Sequence, residues 1–231
     1  MKIVISLGGS LITDGFSAEK INGYREAIKA IHKTTDKLVI VVGGGKIARE
    51  YIDLIKDIGM DRNAQDNIAI TLTHANAKII SLALNHKTPG LANETIPRTE
   101  QEITQQLQNL DRSKILVCGG TIPGQSTDSV AAKIARDIHA DLLINASDID
   151  GVYDRDPKKN IAAKKYNTLT YDRLREIISN NEQSPGKYAL FDKSAADIIR
   201  QHKIRTIIIN ATDPEELIKA IGKTHTGTTI E

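Results

Sequence analysis

Apolar residues along this chain follow two alternating patterns: short unbroken runs, and stripes spaced three or four positions apart. Lys2–Leu7 (KIVISL), Lys37–Val42 (KLVIVV), Ile115–Cys118 (ILVC), Asp141–Ala146 and Arg205–Asn210 (RTIIIN) are of the first kind. Runs this short and rich in β-branched residues predict strands buried on both faces. The stretches between them are amphipathic. Ser17–His32 predicts a helix with Ser17 as N-cap, Lys20 where a capping box carries Glu, and Ile21, Tyr24, Ile28 and Ile31 on one face. Lys46–Ile58 predicts another, with Ile47, Tyr51, Leu54, Ile55 and Ile58 as its apolar stripe and Gly59 closing it. Asn63–Asn85 predicts a long helix that turns Ile68, Leu72, Ala75, Ile79 and Leu82 inward. Shorter helices are expected at Arg98–Leu110, after Asp128 (Val130, Ile134, Ile138), and at Tyr171–Ser179, Leu190–His202 and Pro214–Ile221. Leu91–Asn93 and Thr226–Ile230 add short strands.

Strands alternating with helices imply an α/β fold, a three-layer αβα sandwich around a mainly parallel sheet. Residues 1–231 read as a single domain with two lobes, 1–110 and 111–231. No internal repeat, low-complexity run or linker interrupts it. Lys158–Lys165 and Ser184–Lys187 read as surface loops.

Composition narrows the partners. The net charge of +2 is small, aromatics make up 3% and tryptophan is absent, so stacking platforms for nucleic acid are not expected. No apolar run approaches the length of about 18 residues needed to span a membrane. The opening run Ile3–Leu7 is too short for a secretory leader. The one cysteine, Cys118, lies in a buried strand and has no internal disulfide partner, so a structural thiol and a cytoplasmic location are expected.

The chemistry gathers where strands end. Three runs stop at Gly8-Gly9, Gly43-Gly44-Gly45 and Gly119-Gly120. In an open α/β sheet, ligands sit beyond the carboxyl ends of the strands, and glycine there lets backbone approach a phosphate. The last turn continues as Thr121–Thr127, small and hydroxyl-rich, and runs into a helix that begins near Asp128. Strand, turn and helix N-terminus in that order make an anion site. Walker A does not fit, because Gly45-Lys46 is followed by Ile47. Gly43-x-Gly45-x-x-Ala48 with Asp66 about 20 residues on half matches the dinucleotide fingerprint. The residues around Asp66 read as helix, however, not as the strand that fingerprint requires.

Taken in order, VISLGGS, VVGGGKIAREY, Asp66 with Thr73-x-x-Asn76-Ala77, GGTIPGQSTDSVAA, INASDIDGVYDRDP and YALFDKSAADIIRQHKIRTIIIN span Lys2 to Asn210. This ordered set resembles the amino-acid kinase superfamily, and within it the archaeal type of uridylate (UMP) kinase. The resemblance implies ATP as co-substrate with Mg²⁺, UMP as acceptor, and a homo-oligomer, since relatives often form hexamers. Gly9, Ser10, Gly45 and Arg49 would then face the donor's terminal phosphates, and Gly44 the acceptor. Asp66 would hold the UMP ribose hydroxyls. Thr121, Ile122, Pro123, Gly124, Gln125, Ser126 and Thr127 would surround its uracil and phosphate. Ser147, Asp148, Tyr153 and Asp156 match the loop on the ATP adenosine. Asp128 matches the acid that orders the reaction centre or its Mg²⁺, and no metal ligand set is assigned. Asp192 stands where many relatives outside the UMP kinases carry lysine.

One departure stands out. Many members carry a lysine two residues before the first glycine pair, where this chain has Ser6, which leaves Arg49, Lys46 and Lys187 as candidate cations. No base is needed when the acceptor is itself a phosphate, whose second pKa is about 6. The histidines at 32, 74, 86, 139, 202 and 225 accordingly read as non-catalytic. The alternatives are a kinase for carboxylates, carbamate or isopentenyl phosphate, or a non-catalytic nucleotide-binding or storage protein on the same fold.

Overall fold

The computed structural model describes residues 1–155, 157, 160–182 and 191–231; Asp156, Lys187 and the loop at 184–187 lie outside them. The apolar runs form strands β1 (Lys2–Leu7), β2 (Lys37–Val42), β3 (Ile115–Cys118), β4 (Leu142–Ser147) and β6 (Thr206–Asn210). They pair in parallel in the order β3-β2-β1-β4-β6. The tail folds back as β7 (Thr228–Ile230), antiparallel to β6, and carries the two-residue β5 (Thr168–Leu169) on its outer side. Leu91–Asn93 contributes only a bridge, Ala92 to Ile115.

Period-two alternation sends the strand residues into two cores. Ile3, Ile5 and Leu7 face one side with Leu38, Ile40 and Val42. There they meet α2 (Ala18–His32), α4 (Arg62–Asn85) and α9 (Glu215–Ile221). Val4, Val39, Val41 and Leu143 face the other side, against α5 (Glu100–Gln108), α6 (Thr127–Asp137), α7 (Tyr171–Glu182) and α8 (Lys193–His202). The αβα sandwich follows directly. Cys118 is buried in β3, and burial pushes its thiol up to about 12, so it is inert. No helix among the described residues is long and apolar enough to cross a membrane.

Two helical stripes differ from the sequence expectation. On α4 the buried positions are Thr73, Asn76, Ala77, Ile80, Ser81 and Leu84, while Leu82 is exposed. The helix is rotated by about one residue because its polar side chains have backbone partners inside. Asn76 donates to the Gly43 carbonyl (2.8 Å), and Ser81 donates to the Asn93 carbonyl (2.6 Å). On α3 (Gly45–Asp57) only Ala48 is buried, and Tyr51, Leu54 and Ile58 are exposed. This helix packs on α4 and on the one-turn α1 (Ser10–Thr13) rather than on the sheet, so its stripe does not face the core.

Candidate active site

Because β1, β2 and β3 run in parallel, their glycine turns share one edge. There the first two turns interlock. A methyl group on Gly9 would stand 2.1 Å from the Gly45 nitrogen and 2.4 Å from the Gly43 carbonyl oxygen. Gly45 itself adopts φ +72°, the left-handed region. These glycines are thus required by each other's backbone, besides leaving room for a ligand. Asn76 holds the second turn from beneath, donating to the carbonyls of Gly43 and Gly44 (2.8 and 3.2 Å).

Above these turns lies a cavity of about 290 Å³, lined by Gly8 to Ser10, Gly43 to Gly45, Arg49, Thr127, Asp128, Asn145 and Ala146 to Ile149. α6 crosses β1, β2 and β4 with its N-terminus aimed into it. Ser126 caps that helix, its hydroxyl accepting from the Ser129 N–H (3.1 Å). Ser6 and Asn145 are register partners on β1 and β4. They continue the face that Val4 and Leu143 turn towards α6, and both donate to Asp128 Oδ1 at 2.7 Å. Burial nevertheless dominates. It raises the Asp128 carboxyl to about 6, with the charge of Asp192 adding to the rise and the two hydrogen bonds opposing it. Ser6, at the position where many family members carry lysine, is therefore a partner of Asp128. Asn145 was not singled out from the sequence; a polar residue interrupting the apolar run LLINA was its only trace.

A second cavity, of about 220 Å³, adjoins the first. It is lined by Asp66, Ala69, Ile70 and Thr73 of α4, Ala48 of α3, and Gly120, Ile122, Gln125 and Ser126 of the third turn. Gly44, Gly45 and Thr127 line both cavities. α4 fixes this turn at three points. Thr73 Oγ1 accepts from the Gly120 N–H (2.8 Å), His74 Nε2 meets the Gly120 carbonyl (2.7 Å), and Asp66 Oδ2 accepts from the Gly124 N–H (2.8 Å). Burial lowers the pKa of His74, which favours the neutral ring, and because the Gly120 carbonyl can only accept, Nε2 is the nitrogen that donates in this contact. Within the turn, Thr121 Oγ1 and Gln125 Oε1 are buried without a hydrogen-bond partner among the described residues. Pro123 is exposed beside them.

The remaining candidates divide. Arg49 is exposed and reaches the first cavity, whereas Lys46 lies 3.8 Å from Glu50, a solvent-exposed pairing of little energetic weight. Ser147 and Asp148 line the first cavity. Tyr153 lines neither cavity; its hydroxyl donates to Asp150 (2.9 Å), which also receives Lys165 (3.3 Å). Among the described residues no group of three or more His, Cys, Asp or Glu could hold a metal by itself.

The family model for the amino acid kinase family matches residues 1–210. The chain belongs to that family. Uridylate kinase of Methanobrevibacter smithii is 38% identical over 230 residues, covering all of this chain and 99% of that protein. The crystal structure of uridylate kinase from Archaeoglobus fulgidus superposes with a TM-score of 0.86 at 38% identity, each chain covered in full. UMP kinase from Ureaplasma parvum follows at 0.81 and 25%, covering 100% of this chain and 98% of that one. Aspartate kinase from Synechocystis shares the fold at 0.76 and 21% identity, with 39% of its length covered. This member of the amino acid kinase family thus has full-length relatives among uridylate kinases.

Proposed function

We propose that this chain is a nucleoside monophosphate kinase that transfers the γ-phosphate of ATP to UMP, giving UDP and ADP. The observation that carries the reading is the pair of cavities meeting at Gly44, Gly45 and Thr127, which suits two nucleotides bound phosphate to phosphate. ATP occupies the larger cavity, its phosphates over Gly9, Ser10 and Gly45 and its adenosine towards Ser147, Asp148 and Tyr153. UMP occupies the smaller one, its ribose at Asp66 and its base within the turn 121–127. Both lobes, 1–110 and 111–231, contribute to each cavity, and Gly44, Gly45 and Thr127 are shared between the two.

Phosphoryl transfer needs alignment and charge neutralisation more than covalent help. The N–H groups of the glycine turns, the α6 N-terminus and Arg49 meet the charge that develops on the transferring group. An acceptor phosphate already ionised at neutral pH makes a general base unnecessary. The residues present fit Mg²⁺, which takes one or two carboxylates and completes its shell with substrate phosphates and water. Asp128, whose Oδ2 is outside the hydrogen bonds from Ser6 and Asn145, is the carboxylate that would hold it. The ion would supply neutralisation between the phosphates.

The exposed stripe Tyr51, Leu54 and Ile58, extended by Met60, supports a homo-oligomer, proposed as a hexamer in the cytoplasm. An ATP-consumption screen with UMP, CMP, isopentenyl phosphate and carbamate tests the function. Turnover with UMP at least tenfold above the others is expected, and preference for any other acceptor would overturn the assignment.

A further inference from the structure

Asp192 lines neither cavity, yet three donors converge on its carboxylate. Its Oδ2 accepts from the hydroxyls of Ser126 (2.7 Å) and Ser129, and its Oδ1 accepts from the Ser194 N–H (3.1 Å) as N-cap of α8. One carboxylate therefore binds the first turn of α8 to the first turn of α6. The Ser126 hydroxyl, while donating to Asp192, accepts from the Ser129 N–H, so the N-cap of α6 is itself oriented from α8. Thr127 and Asp128, the α6 residues that line the first cavity, lie between those two serines.

We infer that Asp192 is a positioning residue for phosphoryl transfer: through Ser126 and Ser129 it sets the first turn of α6, and with it Thr127 and Asp128, against the transferring phosphate. A carboxylate suits this task because its two oxygens offer about four acceptor sites and no donor. Asparagine has one acceptor oxygen for the same three donors. It is still a competent helix N-cap, so Asp192→Asn spares α8 and removes the grip on α6.

The inference rests on the proposed phosphotransfer, and two measurements keep the two separable. Hydrogen exchange across residues 124–131 reads the α6 turn without any substrate. In Asp192→Asn, exchange there accelerates at least tenfold while α8 is unchanged. Steady-state kinetics with UMP and ATP then show kcat lowered about tenfold and both KM values within about twofold, as misplacement of aligned groups produces. Adding Ser129→Ala to Asp192→Asn brings little further loss, because both changes break one connection. Unchanged exchange overturns the inference whatever the kinetics. So does faster exchange with unaltered kcat, which would make Asp192 a cap alone, or a raised KM for UMP at constant kcat, which would make it a substrate contact. A wild-type protein inactive on UMP removes the phosphotransfer reading, while the exchange result still decides whether Asp192 holds α6.

Discussion

Asp128→Asn should make the protein more stable and less active at once, with the stability gain confined to a defined pH range. The Asp128 carboxyl rises from its ordinary 3.8 to about 6, chiefly through burial. A folded-state pKa above the unfolded one means that the folded chain binds the proton more tightly. The protonated carboxyl is therefore favourable below pH 3.8, and that advantage is lost as pH rises to about 6. Above pH 6 the folded protein carries an ionised, partly desolvated carboxylate, at a cost of up to about 3 kcal/mol for a shift of this size. Asp128 keeps some exposure to the cavity, and solvent screening reduces the cost to about 1–3 kcal/mol. Asparagine preserves the shape without the charge. Urea unfolding of the two proteins at pH 4.5, 5.5, 6.5 and 7.5 should show their difference in stability growing towards pH 6.5 and then levelling. A difference constant across that range would refute the desolvation argument. The same variant should lose on the order of 10²-fold in kcat. A kcat within about threefold of wild type, or roughly 0.65 kcal/mol of barrier, would refute the role given to Asp128 in the reaction.

The interlocked turns predict unequal tolerance of alanine. Gly9→Ala places a methyl 2.1 Å from backbone and should cost at least about 3 kcal/mol in urea unfolding or prevent soluble expression. Gly124→Ala, at φ +81° with nothing within 4 Å, should cost only about 1–2 kcal/mol. Arg49→Ala removes an exposed side chain, so Tm should move by less than about 2 °C, while kcat falls on the order of 10²-fold; a kcat unchanged in that variant would leave the cation to another residue. Asp66→Asn can still accept from the Gly124 N–H but loses its charge. KM for UMP should rise about tenfold with kcat within twofold, as for a group that binds ground and transition states alike, and an unaltered KM would limit Asp66 to holding the loop.

What could be read from the sequence was whatever is encoded locally. The strands followed from short β-branched runs. The phosphate-facing edge followed from glycines placed at the ends of parallel strands, since topology alone brings those ends together. What escaped reading depends on partners far apart in sequence. The Ser6–Asn145–Asp128 cluster arises because β1 pairs with β4 in one particular register and α6 lies over that pair. A polar residue in an apolar run hints at such a partner without naming it. The rotation of α4 has the same origin. Hydrophobic periodicity scores Ile68, Leu72 and Leu82 as the buried face, but the free energy lies also with backbone carbonyls and amides of the glycine turns that need partners. Thr73 and Asn76 supply them and turn inward with Ala77 and Ile80. β5 was invisible because two residues carry no periodicity, and its pairing exists only once the tail has folded back as β7.

The same long-range connections explain how a sheet edge made of mobile-looking glycines can align two phosphates. Each turn is held from outside itself. Gly9 and Gly45 are jammed against one another, Asn76 holds the second turn, Thr73, His74 and Asp66 hold the third, and Asp192 holds the helix that follows it. α4 touches both the donor-side turn and the acceptor-side turn, so it fixes the spacing between the two cavities as a rigid bar would. Little of this machinery need contact a nucleotide. A reaction that depends on alignment rather than on covalent participation by the enzyme places its demands there, on the residues that keep the backbone donors still.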